Sequence, residues 1–193
     1  MYNEIFAKYC IWSEKFKWYY YLFALSIRAY VIPRCILDVG CGPGAFTEIL
    51  RSVFPKSLVV GVDSSLKMCK VSKCVRCDAH RLPFKSKTFE LVTLHFSLHD
   101  LEIDRAFEEI ERVLKDNGFL AIRDLNSEMP RIAREMLLKA LERNIDRDYA
   151  LYISKKIDEF PNPKEIVRRL SENFEIKRIC ESLFDFDIIA VKR

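Results

Sequence analysis

Glycine is scarce in this chain: 193 residues carry five, where average usage would give about thirteen. Three of the five fall close together, at Gly40, Gly42 and Gly44, so the shortage is also a concentration. Long apolar runs are missing. The longest candidate, 18–32, is interrupted by Ser26 and Arg28, which excludes a membrane-spanning reading of that segment. The opening MYNEIFAKYC has an early acid and no basic stretch, so it does not read as a secretory signal. The cysteines, Cys10, Cys35, Cys41, Cys69, Cys74, Cys77 and Cys180, are odd in number. That pattern predicts a reducing, cytoplasmic compartment rather than a disulfide framework.

What is present is globular. Hydrophobic residues make up 50%, charged residues 31%, and the net charge is +4. These values exclude a disordered chain, a collagen-like repeat and a disulfide mini-protein. The length predicts a single domain, 1–193, with its own core. Charge is uneven: residues 51–87 hold nine Lys/Arg against Asp63 and Asp78 alone. A solvated helix face with basic loops accounts for this. A phosphate-tracking surface is the alternative, and salt-dependent affinity would reveal it.

Residues 2–31 predict one long helix, with Ile5, Tyr9, Trp12, Phe16, Tyr19, Phe23, Ile27 and Tyr30 on one face and Pro33 as its stop. Eleven of the 24 aromatics and both tryptophans lie in the first 30 residues. They read as core packing or as the lid of an apolar ligand pocket. The pattern then changes to short apolar runs alternating with helices. Strands are expected at 35–39, 58–62, 71–76, 90–94 and 119–122. Helices are expected at 45–53, 65–70 and 104–114, with a turn at Asp116-Asn117-Gly118. This alternation predicts an α/β fold, a Rossmann-like doubly wound sheet with helices on both faces. Residues 128–158 read as helical and 164–172 as the last helix. Two strand-like stretches then run from Phe174 to Lys192, as a hairpin at the sheet edge. The chain thus divides into an aromatic helical lid (1–33), a core (34–126), a helical insertion or second lid (127–163) and a final helix with strands (164–193).

The glycine cluster reads Asp38-Val-Gly40-Cys41-Gly42-Pro-Gly44 and lies between a buried strand and a helix. Glycines there admit positive φ and let a ligand meet bare backbone, at a helix start that offers free N–H groups. Gly40, Gly42 and Ala45 formally satisfy the dinucleotide fingerprint, with Asp63 about twenty residues on. A carboxylate at Asp38, however, would repel pyrophosphate and attract an ammonium or sulfonium. Asp38, Asp63 and Asp78 each follow a predicted parallel strand, which aims all three at one crevice. Asp63 can accept ribose hydroxyls and Asp78 an exocyclic amine. The set fits an adenosine with a cationic tail.

On these residues the chain resembles the class I S-adenosylmethionine-dependent methyltransferases. ILDVGCGPG (36–44) is similar to their first motif. VVGVDSS (59–65) resembles their ribose-binding strand, and CDAHRLPF (77–84) their adenine loop. FELVTLHFSLHDL (89–101) and ERVLKDNGFLAI (111–122) are similar to the fourth- and fifth-strand motifs. The nearest flavour is that of the ubiquinone/menaquinone-biosynthesis branch, which Pro161–Ile176 weakly echoes. The resemblance implies a seven-stranded sheet, mostly parallel with an antiparallel last strand. It implies S-adenosyl-L-methionine as cofactor, with contacts from Asp38, Gly40, Cys41, Gly42, Gly44, Asp63, Ser64, Asp78, Ala79 and His95. Glu90 in place of Asp, and Asp116-Asn117-Gly118 in place of Pro-Gly-Gly, are departures away from the cofactor loop.

Methyl transfer needs alignment, and a base only when the nucleophile is weak or protonated. His99, with Asp100 beside it, is the candidate base; its other reading is a strut of the loop. Tyr9 and Tyr19 are further candidates. Cys69, Cys74 and Cys77, with His80, have a spacing compatible with zinc or an iron–sulfur cluster, but strand alternation separates Cys74 from Cys77, and no metal site is assigned. The expected acceptor is a small, partly apolar molecule. A transfer-RNA methyltransferase, a non-catalytic cofactor-binding scaffold and an NAD oxidoreductase are the alternatives.

Overall fold

The computed structural model describes residues 2–193, with side chains from Glu4 onward. Its elements run α1 (Tyr2–Lys15), α2 (Lys17–Arg28), β1 (Cys35–Val39), α3 (Ala45–Val53), β2 (Leu58–Asp63), α4 (Leu66–Ser72) and β3 (Val75–Arg76). There follow β4 (Phe89–His95), a 3-10 turn (Leu98–Asp100), α5 (Ile103–Val113), β5 (Leu114–Leu125), α6 (Arg131–Asn144), α7 (Arg147–Glu159), α8 (Pro163–Leu170), β6 (Phe174–Glu181) and β7 (Asp185–Lys192). The strands form one sheet in the order β3-β2-β1-β4-β5-β7-β6. β1 to β5 are mutually parallel, and β7 runs antiparallel to both its neighbours. The order reverses between β1 and β4, the switch point where doubly wound sheets open a crevice at their carboxyl ends.

Alternation along each strand divides the core between the two faces of the sheet. Leu37, Val92, Leu120 and Ile188 pack under α5 and α8. Ile36, Leu91, Ala121 and Ile189 pack under α2 and α3. A third cluster lies apart: Leu141, Ile145, Ala150, Ile153 and Ile157 of α6, α7 and their connection meet Ile5, Tyr9 and Trp12 of α1.

Four boundaries differ from the sequence expectation. The N-terminal helix is two helices, broken at Phe16, whose ring packs on Trp12 at 4.6 Å. The halves bury their apolar faces on different partners, α1 on the third cluster and α2 on the sheet. The strand expected at 71–76 shrinks to Val75–Arg76, because α4 continues to Ser72 and is closed by Lys73 at φ 55. The fifth strand is longer than 119–122: pairing slips from Phe89↔Leu114 to Leu91↔Phe119, and the Asp116–Gly118 turn becomes a bulge inside it. Residues 128–158 form two helices, the second capped by Asp146, whose carboxylate accepts the Asp148 N–H at 2.8 Å. Among the described residues no helix is long and apolar enough to cross a membrane.

Candidate active site

The carboxyl ends of β1, β2 and β4 and the loop after β3 surround a cleft of about 530 Å³. Gly40, Gly42, Asp63, Ser64, Asp78 and Ala79 line it, together with His99, Asp100, Tyr9, Phe96, Tyr149 and Tyr152. The glycine loop is held open by its surroundings. Gly40 has φ +69, and a Cβ there would sit 2.4 Å from Ser97 Cβ. Ser97 in turn donates to the Val39 carbonyl at 2.8 Å. Gly42, φ +53, has open space beside it as far as the Tyr9 hydroxyl at 3.9 Å. Bare backbone therefore faces the cleft at both positions.

Asp63 braces that loop. Its carboxylate accepts the Gly42 N–H at 2.9 Å and the Ser65 N–H at 2.8 Å, and the residue lines the cleft. Asp78 accepts both the amide and the Nδ1–H of His80, at 2.9 and 2.6 Å. The His80 tautomer follows from the partners: Nε2 accepts the Glu102 N–H at 3.0 Å, so the ring proton is on Nδ1. One imidazole thus ties the Asp78 loop to the start of α5. The Asp78 carboxyl is held below its usual pKa, first by the His80 amide.

Asp38 does not stand in the open cleft. It is 1% exposed and accepts hydroxyls from Thr47 at 2.6 Å and Thr93 at 2.9 Å. Burial pushes its pKa up to about 6 against the pull of those two donors. It lines a small side cavity of about 30 Å³ with Gly40, Cys41, Gly42, Tyr20 and His95, room for roughly one water. His95 is sealed there by Phe46, stacked at 4.2 Å, and by the Tyr20 edge at 4.3 Å. Its Nε2 has no hydrogen-bond partner among the described residues. Burial, and then the charge of Arg123, keep it neutral by lowering its pKa. Gly44 (φ 92) is the residue before α3 and packs against Ser72 rather than lining either cavity.

His99 is the best-organised titratable group on the cleft wall. Its Nδ1 lies 2.6 Å from Asp124 Oδ1. Asp124, fully buried, also accepts the Leu98, His99 and Leu125 amides at 2.7, 3.2 and 2.7 Å. Burial of the ring opposes its charge, but the Asp124 carboxylate, with Asp100 behind it, outweighs that and raises the His99 pKa. Nε2 is left toward Asp100, 3.8 Å away, and Asp100 is itself held by the Tyr152 hydroxyl and by Lys156 at 3.0 Å. Sequence reasoning missed Asp124, Tyr149 and Tyr152. An Asp at the end of a strand expected to stop at 122 gave one available signal; the tyrosines of α7 gave none. Tyr19 instead leaves the site: its hydroxyl binds Asp185 at 2.6 Å. Among the described residues no three Cys, His, Asp or Glu side chains converge as metal ligands would.

The cleft residues fit an S-adenosylmethionine-type cofactor: bare glycine backbone at a helix start, with two carboxylates at successive strand ends, in a cavity of suitable volume. Comparison with known proteins agrees. Residues 37–122 match the family described as a methyltransferase domain. A malonyl-[acyl-carrier protein] O-methyltransferase from Legionella pneumophila is 34% identical over 47% of this chain and 36% of its own length. A 2-phytyl-1,4-naphtoquinone methyltransferase from Nostoc is 30% identical over 68% of this chain and 67% of its own. A Thermotoga maritima structure described as a SAM-dependent methyltransferase, possible histamine N-methyltransferase, shares the fold, with a TM-score of 0.68, 19% identity and full coverage of both chains. The chain spans between about a third and a half of the length of the first curated relatives it matches. With the Nostoc enzyme aligned over two thirds of its length and the fold shared throughout, this chain belongs to the class I S-adenosylmethionine-dependent methyltransferases.

Proposed function

We propose that this chain transfers a methyl group to a small, partly apolar acceptor that loses a proton in the reaction. The carrying observation is the His99–Asp124 pair on the wall of the same cleft that Gly40, Asp63 and Asp78 line. Gly40, Gly42, Asp63, Ser64, Asp78 and Ala79 are assigned to cofactor contact, and Asp38, Cys41 and His95 to the wall behind its tail, with Gly44 acting through the start of α3. When bound, S-adenosylmethionine supplies an electrophilic methyl group on sulfur. The rest belongs to the chain. Phe96, Tyr149 and Tyr152 offer rigid aromatic area for an apolar acceptor. α1 and α7 cover it as lids, with α6 packed behind them, and exclude water. His99 Nε2 takes the acceptor proton while Asp124 orients the ring and stabilises its charge. The names of the quinone relatives support a ring-bearing acceptor. The odd set of seven free cysteines among the described residues supports a reducing, cytoplasmic setting.

The test is a methyl-transfer assay over phenolic, quinol, carboxylate and RNA acceptors, with S-adenosylhomocysteine binding by calorimetry. The expected result is turnover of a phenolic or quinol compound that His99→Ala lowers by about 10²-fold without loss of S-adenosylhomocysteine binding. Turnover of RNA alone, or His99→Ala activity equal to wild type, overturns the proposal.

A further inference from the structure

We propose that Cys69 and Cys74 form an oxidative modification site: a dithiol that closes to an intramolecular disulfide and stiffens the adenine side of the cofactor cleft. The two sulfurs are 3.1 Å apart, already inside van der Waals contact. A disulfide needs about 2.05 Å, so closure asks for a movement of roughly 1 Å. The positions are asymmetric in access. Cys74 is half-buried, whereas Cys69 is 8% exposed, with its thiol donating to the Asp63 carbonyl at 3.4 Å. Cys74 is therefore the entry thiol and Cys69 the resolving one.

The oxidant is a low-molecular-weight disulfide. The Cys74 thiolate attacks one of its sulfurs, forms a mixed disulfide and releases one small thiol, which carries the proton Cys74 gave up. Cys69 then loses its proton and its sulfur attacks Cys74. The Cys69–Cys74 bond forms and the second small thiol leaves. Two electrons and two protons pass from the cysteines to the small disulfide. Burial pushes the Cys69 thiol up to about 12. Formation is accordingly slow, and a couple in which the Cys69 thiolate is disfavoured holds its disulfide firmly once made.

The effect follows from what the bond would join. Cys69 belongs to α4, whose first turn places Lys67 and Met68 on the cleft wall. Cys74 immediately precedes β3, the shortest strand and an edge of the sheet, held through Val62↔Val75 and Asp63↔Arg76. β3 runs directly into Cys77, Asp78 and Ala79, which line the cleft. Beyond that pairing the root of the loop is held by the Cys77 N–H on the Asp63 carbonyl, and its tip by His80, so a covalent tie at the root removes part of the ordering cost of ligand binding.

The experiment compares the full chain, reduced and after incubation with oxidised glutathione. Expected are a fall in free thiols from seven to five, loss of two hydrogens in mass, a Cys69–Cys74 cross-linked peptide, and a raised melting temperature. S-Adenosylhomocysteine should bind about threefold tighter to the oxidised form, and dithiothreitol should reverse every change. Cys74→Ser should be inert to the treatment while binding the ligand like the reduced protein. A disulfide to Cys41 or Cys77 instead, no disulfide, or a Cys69–Cys74 bond that leaves ligand affinity unchanged overturns the inference. Failure of both forms to bind S-adenosylhomocysteine would instead count against the cofactor reading, and the thiol count and melting shift would still decide the disulfide.

Discussion

At the residue scale, the site depends on where a Cβ is forbidden and where a proton is held. Gly40 and Gly42 look equivalent in sequence, but their surroundings differ. An alanine at Gly40 would need positive φ and would also overlap Ser97 at 2.4 Å, whereas at Gly42 the nearest atom is 3.9 Å off. Gly40→Ala should therefore cost about 3 kcal/mol of stability, and Gly42→Ala about 1 kcal/mol, as read from urea unfolding. The second residue-scale prediction concerns protons. As the proposed base His99 works only when neutral, and its raised pKa places the acid limb of the rate profile above the ordinary histidine value. The rate should rise as pH passes through that value. Asp124→Asn keeps the shape and removes the charge. It should lower kcat by about 10²-fold and move the limb to lower pH, with a melting curve to check folding. An unmoved limb would remove Asp124 from the mechanism.

At the element scale, α2 is fastened to the sheet by charge inside the core. Arg123 of β5 and Asp187 of β7 are cross-strand partners and pair at 2.5 and 2.7 Å, both nearly buried. The guanidinium lies over the Tyr19 and Phe23 rings of α2, at 4.4 and 4.6 Å. Removing one partner strands a buried charge. Asp187→Ala should destabilise the protein by about 3–5 kcal/mol, whereas a joint Arg123→Met, Asp187→Leu exchange should recover much of that, as measured by denaturant titration. Most elements were legible in the sequence because they carry a period. The run 35–39 with its glycine loop, the helix at 45–53 and the 104–114 amphipathic stretch emerge within a residue or two of their expected bounds. The misses lie where tertiary context overrides pattern. The break at Phe16 reflects two burial targets for one continuous aromatic stripe, and the long β5 depends on a bulge that only the partner strand β4 defines.

At the scale of the whole molecule, α1, α6 and α7 share a packing cluster of their own, which meets the sheet through Leu125 and Phe96. α1 contributes Ile5, Tyr9 and Trp12 to a cluster with α6 and α7, while the two sheet cores do without it. Deleting residues 1–15 should leave a cooperatively folding sheet that still binds S-adenosylhomocysteine. It should also uncover the acceptor side, so that acceptor KM rises at least about tenfold as buried aromatic contact is lost. Calorimetry and steady-state kinetics on the truncated chain would check both. Global unfolding on truncation would instead make α1 part of the core.

The local grammar of the cofactor site is written in the order of residues alone. Glycines that must stay bare and acids at successive strand ends are short-range features, and the parallel topology that gathers them follows from strand–helix alternation and right-handed crossover. That order does not determine which acids are free to act. Asp38 and Asp63 read alike, yet Asp38 is closed off by Thr47 and Thr93, each on a different element. His95 and His99 stand four residues apart, yet one ring is stacked among aromatics and the other is paired with Asp124, 25 positions on in the chain. Burial and hydrogen-bond partners set a side chain's charge and reach. Those partners come from strands and helices distant in sequence, so only the tertiary structure could assign them.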